Sequence, residues 1–170
     1  MKKGAEMELR LLGELNYEML SKTLTVMQAR PEKLDVVVCG PGGEVPLTMG
    51  IIDLLFAIQD DGGIVETTAI GEVASGSAMI VAAGSLGHRR AFARTVFGLH
   101  EPYLVDCVED PAAARSSQKE SEIMLRHFYR VLSTSTRLRE EEWRKKLEGV
   151  SMLWLDAMAA YREGLIDRVV

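Results

Sequence analysis

The sequence has little of what marks many specialised proteins, and each shortage removes a class of function. Its two cysteines, Cys39 and Cys107, have no metal-ligand spacing around them. A disulfide scaffold and a thiolate metal site are therefore not expected; two reduced, buried thiols in a cytoplasmic protein are. No apolar run approaches the roughly 20 residues that a membrane helix needs. The opening MKKGAEMELR has two lysines but no apolar stretch behind them, so neither a signal peptide nor a membrane partner is expected. Positive charge is also short. The formal net charge is −5 and the basic residues do not pile up on one segment, which argues against nucleic acid as a partner. What remains is 170 residues, 47% of them apolar, enough to build one core in a single domain spanning 1–170.

The informative stretch runs from Gly71 to Pro102. An apolar, β-branched run, Ile64 to Ile70, leads into the turn Gly71-Glu72-Val73-Ala74-Ser75-Gly76. A helix-like run of small and apolar residues follows, Ala78 to Ala83, and then a second apolar strand that ends in His100-Glu101-Pro102. A serine at a tight strand-to-helix turn exposes its hydroxyl beside the free N–H groups and positive potential of a helix start, which suits a nucleophile. A histidine closing a neighbouring strand suits its base. The residues around Ser75 are all small, however, and close packing at a helix start would select the same composition. Ser77 is a rival nucleophile on position alone. His88 and His127 read as surface residues.

Upstream, Met7 to Leu12 reads as a first strand closed by Gly13, and Asn16 as the N-cap of a helix over 17–29 that Pro31 ends. Leu34 to Cys39 reads as a short strand buried on both faces. Gly40-Pro41-Gly42-Gly43 follows at once, where glycine permits positive φ or a close backbone approach. The next helix has Leu47, Ile51, Leu54 and Ile58 on one face, with Ile52, Leu55 and Phe56 on others, so it is largely buried. Strands alternating with helices argue for right-handed crossovers and a mostly parallel sheet. After Pro102, Tyr103 to Val108 reads as a short extended piece. Asp110-Pro111 starts a long amphipathic helix to about Thr134 with Met124, Phe128 and Val131 on one stripe, and Ser133-Thr134-Ser135-Thr136 breaks it. Glu140 to Leu147 resumes as helix, ended by Gly149. Asp156 caps a last helix that Gly164 closes before the final strand.

Gly71, Ala74-Ser75, Ala78, Ala83-Gly84, the basic His88-Arg89-Arg90 and His100-Glu101-Pro102 together resemble the proteolytic subunit of the Clp protease, a self-compartmentalising serine peptidase. Pro41-Gly42-Gly43 and the tail from Trp154-Leu155-Asp156-Ala157 to Gly164-Leu165-Ile166-Asp167 extend the resemblance to residues 7–170. It implies an α/β fold of the ClpP/crotonase type, a spiral of βαβ units with a peripheral handle helix at about 110–134. It implies Ser75 as nucleophile, His100 as general base, and the N–H groups of Gly43 and Gly76 as an oxyanion hole. It further implies self-association into rings, heptameric and stacked through the handle, with no cofactor and no metal.

Departures from the family pattern accompany the resemblance. Gly40 replaces a serine, Asp60-Asp61-Gly62-Gly63 lengthens a link, and Tyr103-Leu104-Val105-Asp106-Cys107 stands where a glycine-rich stretch is usual. About six residues precede the first strand, too few for the pore-lining segment, so docking to an AAA+ unfoldase is doubtful. Most informative, the family's third catalytic residue, an aspartate, is here Met152. Without it a Ser–His pair should be weak rather than dead. Glu148 and Asp156 are candidate replacements, with Glu101 and Asp106 near His100 in sequence. A Ser–Lys dyad is not expected, because no lysine lies between Lys33 and Lys119. The expected function is a serine endopeptidase acting on peptides or unfolded chains within a chamber. The alternatives are a catalytically impaired structural subunit and a crotonase-type acyl-CoA enzyme.

Overall fold

The structure, a computed structural model, describes residues 5–102 and 110–170. In chain order its elements are β1 (Glu6–Glu14), α1 (Tyr17–Gln28), β2 (Lys33–Gly42), α2 (Val45–Asp60), β3 (Ile64–Ala74), α3 (Gly76–Ala82), β4 (Arg89–Ala91) and β5 (Val96–Leu99). They continue with α4 (Pro111–Ser135), α5 (Glu140–Leu147), β6 (Leu153–Asp156), α6 (Ala157–Glu163) and β7 (Arg168–Val169). The sheet runs β1-β2-β3-β4-β7, all in parallel pairs. β3 is long enough to serve two neighbours: residues 67–69 pair with β4 and residues 72–74 with β5. β5 in turn takes β6 as the sheet's antiparallel partner. This is the mixed α/β architecture that the alternation of strands and helices leads one to expect.

Local chemistry explains several boundaries. The Asn16 side chain accepts the Met19 N–H at 3.1 Å and so starts α1. The Asp156 carboxylate accepts the Ala159 N–H at 2.6 Å to start α6, and Gly164 at φ 85° closes it. Asp110 accepts the N–H groups of Ala112 and Ala113 at the head of α4. That helix does not break at Ser133. Ser133 and Thr134 donate their hydroxyls back to the Arg130 carbonyl at 3.2 and 2.8 Å and remain helical. The second half of α4 docks on the body through Phe128, Tyr129 and Leu132.

β2 corrects an expectation. Its residues alternate between half-buried and buried rather than being buried on both faces. Leu34, Val36 and Val38 join Leu9, Leu11, Val65 and Ala69 under the helices, all at 4% exposure or less. The opposite face carries Lys33, Asp35, Val37 and Cys39, with Arg10 and Leu12 beside them on β1. Cys39 is a free, half-buried thiol on that open face, not a core thiol; Cys107 lies outside the described residues. On α2 the buried line is Leu47, Ile51, Ile52, Leu55 and Ile58, so Leu54 sits at its margin. β3 runs on to Ala74, and Gly71 does not end it.

One buried ion pair fastens the back of the molecule. The Arg89 guanidinium, 3% exposed, meets Asp167 at 2.7 and 2.8 Å. It also donates to the Ala82 carbonyl at the end of α3, at 3.0 Å, and to the Ser135 carbonyl at the end of α4. One side chain therefore satisfies the orphan carbonyls of two helices and ties them to the last strand. Burial alone would push the Asp167 carboxyl up. Hydrogen bonds from the Arg89 side chain, its charge, and the N–H groups of Arg89 and Gly87 outweigh burial and hold the carboxyl below the ordinary aspartate value.

Candidate active site

Three chain turns meet at one edge of the sheet. The first follows β2. Gly42 has φ 98°, and a Cβ there would lie 2.8 Å from both the Gly76 nitrogen and the Ser75 Cβ. Only glycine lets this turn press against the serine turn. Gly43 is equally confined, since a Cβ on it would stand 2.8 Å from the Leu15 Cβ. The Leu15 N–H donates to the Gly42 carbonyl at 2.8 Å, which fixes the turn before Pro46 and the start of α2.

The second turn is Ser75. It joins β3 directly to α3 with φ 53° and ψ −125°. A non-glycine residue at positive φ is strained, and such strain persists only where neighbours over-determine it. Here the Ser75 N–H donates to the Gly98 carbonyl at 2.7 Å, while its own carbonyl accepts the N–H groups of Ala78 and Met79. Both backbone groups being held, the half-buried side chain projects into a cleft of about 240 Å3. Gly76 packs on α2 so closely that a Cβ would come within 2.2 Å of the Thr48 Oγ1. Ser77, the rival nucleophile, is fully buried and does not line the cleft.

The third turn follows β5 and carries His100. Gly43, Ser75, Gly76 and His100 all line the same cleft, whose apolar walls are Met49, Met79 and Phe128. The His100 Nδ1 lies 2.6 Å from the Glu101 carbonyl oxygen. Across the sheet, the β5–β6 ladder pairs Gly98 with Trp154 and Leu99 with Leu153. The next step of that register sets Met152 opposite His100. The Met152 sulfur lies about where Gly98 would place a side chain, 3.0 Å from a Cβ built there.

Among the described residues, neither Asp156 nor Glu148 lines the cleft. Asp156 is exposed, pairs with Val96 and is engaged as the α6 cap. Val96 and His100 are four positions apart, about 13 Å along a strand. Glu148 is exposed at the end of α5 and does not line the cleft. Glu101 is beside His100, but its carboxylate accepts the hydroxyl hydrogen bond of Tyr129. Asp106 lies outside the described residues, as does the 103–108 stretch read as extended. His127 is exposed and His88 half-buried, both outside the cleft lining. Thr48 and Tyr129 were not legible as site residues; nothing in their sequence neighbourhoods distinguishes them. Among the described residues no group of three or more His, Cys, Asp or Glu is placed to hold a metal, and no helix is long and apolar enough to cross a membrane.

A strained serine, two neighbouring turns that open helices, and a histidine around one partly apolar cleft are the parts of an acyl-transfer site. Comparison with known proteins points the same way. The family model described as Clp protease matches residues 11–170. A relative, the ATP-dependent Clp protease proteolytic subunit 2 of Frankia casuarinae, is 25% identical over 161 residues, covering 90% of this chain and 68% of that protein. The chain belongs to the Clp protease family.

Proposed function

We propose that the protein is a serine endopeptidase in which Ser75 attacks the peptide carbonyl and His100 takes, then returns, the proton. The N–H groups of Gly43 and Gly76 hold the oxyanion; each such donor is worth about 10²–10³ in rate. The observation that carries this reading is the convergence of those four residues on one cleft around a serine held at φ 53°. The walls of Met49, Met79 and Phe128 fit an apolar substrate side chain next to the scissile bond. An acyl-CoA enzyme of the crotonase type would give neither the strain at Ser75 nor the histidine a task.

The open face of the sheet fits the same reading. A parallel sheet is rarely left open on one face, yet the β1–β2 face bearing Arg10, Leu12, Val37 and Cys39 has no helix over it among the described residues. A second copy of the chain is the proposed cover, within a ring that encloses the cleft. α4, whose fully buried residues all lie in its second half, is the proposed handle between rings. The test is hydrolysis of fluorogenic peptides by the assembled protein. Cleavage after Leu, Met or Phe that Ser75→Ala abolishes is expected. Equal residual rates in the two proteins would refute a peptidase and leave a structural subunit.

A further inference from the structure

Among the described residues, the buried threonines find partners, with one exception. Thr23 donates its hydroxyl to the Met19 carbonyl at 2.8 Å, Thr67 to the Val81 carbonyl at 2.8 Å and Thr95 to the Ala69 carbonyl at 3.2 Å. Thr68 accepts from the Arg90 Nε at 2.8 Å. Thr48 is 2% exposed, and its Oγ1 has no hydrogen-bond partner. A helical threonine can donate back to the carbonyl one turn before it. Here the Glu44 carbonyl takes the Thr48 N–H at 3.0 Å and not the hydroxyl. A buried hydroxyl without a partner is costly and calls for a reason. Asp35 Oδ1 and Ser77 Oγ also lack a hydrogen-bond partner, but neither residue lines the cleft; Thr48 does.

The place of that oxygen is specific. Gly76, next to the nucleophile, has no side chain, and a Cβ built on it would come within 2.2 Å of the Thr48 Oγ1. Thr48 thus fills the space of the missing side chain. It sets one hydroxyl beside the Ser75–Gly76 turn, in a cleft whose other walls are Met49, Met79 and Phe128. Threonine has two χ1 rotamers open to it in a helix, so the oxygen can follow a group that enters. A hydroxyl both donates and accepts, which matches a primary amide. A carboxylate is matched poorly, because no lysine or arginine is among the described residues lining the cleft, whereas Glu44 is. We propose that Thr48 is a specificity-determining residue whose hydroxyl binds the polar end of a substrate side chain, so that the cleft takes glutamine before the scissile bond as well as apolar residues. The inference deepens the peptidase reading and rests on it.

The test uses the assembled protein and fluorogenic peptides that differ only in the residue before the scissile bond: Leu, Gln or Glu. Cleavage after Gln as well as Leu, and far slower after Glu, is expected. Thr48→Val keeps the shape and removes the hydroxyl. It should lower the ratio of kcat/KM for Gln over Leu about three- to tenfold, the worth of one neutral hydrogen bond, and Thr48→Ser should restore the ratio. Thr48→Val should also melt no lower than wild type, because the hydroxyl it removes has no partner to lose. An unchanged ratio in Thr48→Val, a lower melting temperature, no cleavage after Gln by a wild type that cleaves after Leu, or Glu cleaved as readily as Gln would each overturn the proposal. A wild type that cleaves none of the peptides would instead sink the peptidase reading, and this inference with it.

Discussion

Replacing Asp167 by asparagine should destabilise the protein strongly, although the residue lies outside the cleft. The substitution keeps shape and removes one charge. Four donors converge on that carboxylate: the Gly87 N–H at 2.8 Å, the Arg89 N–H at 3.1 Å, the Arg89 Nε at 2.8 Å and its Nη2 at 2.7 Å. The Arg89 side chain is 3% exposed, so the variant leaves a buried cation with only carbonyl partners. Breaking a buried pair in this way costs about 3–5 kcal/mol. For a chain of this length each kcal/mol shifts Tm by about 2–4 °C, so a loss of about 6–20 °C is expected in a thermal melt at neutral pH. The pH dependence has a definite sign. The folded carboxyl titrates below its unfolded value. Its contribution is therefore complete above the unfolded aspartate pKa of about 3.9 and lost as pH falls through the lower folded value. The wild-type advantage should shrink over that acidic window. A variant melting within 2 °C of wild type at neutral pH would refute the claim that this pair clamps α3, α4 and β7 together.

Gly42→Ala should disrupt the site more than the fold. It places a Cβ 2.8 Å from the Ser75 Cβ and the Gly76 nitrogen at a backbone φ of 98°. The peptidase rate is expected to fall about 10²-fold, as for loss of an oxyanion donor; a rate within threefold of wild type would show that the two turns need not touch. Met152→Asp places a carboxylate opposite His100 and should raise kcat tenfold or more by stabilising the imidazolium. An unchanged or lower kcat would show that the acid is not what limits the enzyme. Met49→Arg puts a charge into the apolar wall of the cleft at a half-buried position and should raise KM for peptides cleaved after Leu while sparing the fold. Unchanged KM would place the substrate side chain elsewhere.

The sequence disclosed more of the local structure than of the pairings between distant segments. The starts of α1 and α6 were legible because Asn16 and Asp156 act within three residues of themselves, and α5 because Glu140 to Leu147 carries its own periodicity and stop. The meeting of Gly43, Ser75 and His100 was legible because parallel strands deliver successive turns to one sheet edge. The open face of β2 was not: a run of valines reads as buried on both sides, and whether a layer covers the second face depends on the rest of the chain. α4 outran the expected stop because its hydroxyls turn inward onto Arg130, a choice that composition does not reveal. Arg89–Asp167 and Tyr129–Glu101 join residues 78 and 28 positions apart, and nothing in either neighbourhood marks the partner. Met152 was recognisable as a departure from the family pattern, because a single position carries it.

The central claim is that Ser75 is an activated nucleophile despite the methionine at position 152. The most direct test is covalent labelling of the assembled protein with a fluorophosphonate probe, located by mass spectrometry and controlled with Ser75→Ala. Modification of Ser75 alone, absent from the control, is the predicted result. Intact assemblies that take up no probe at Ser75 would contradict it and leave a structural member of the Clp protease family.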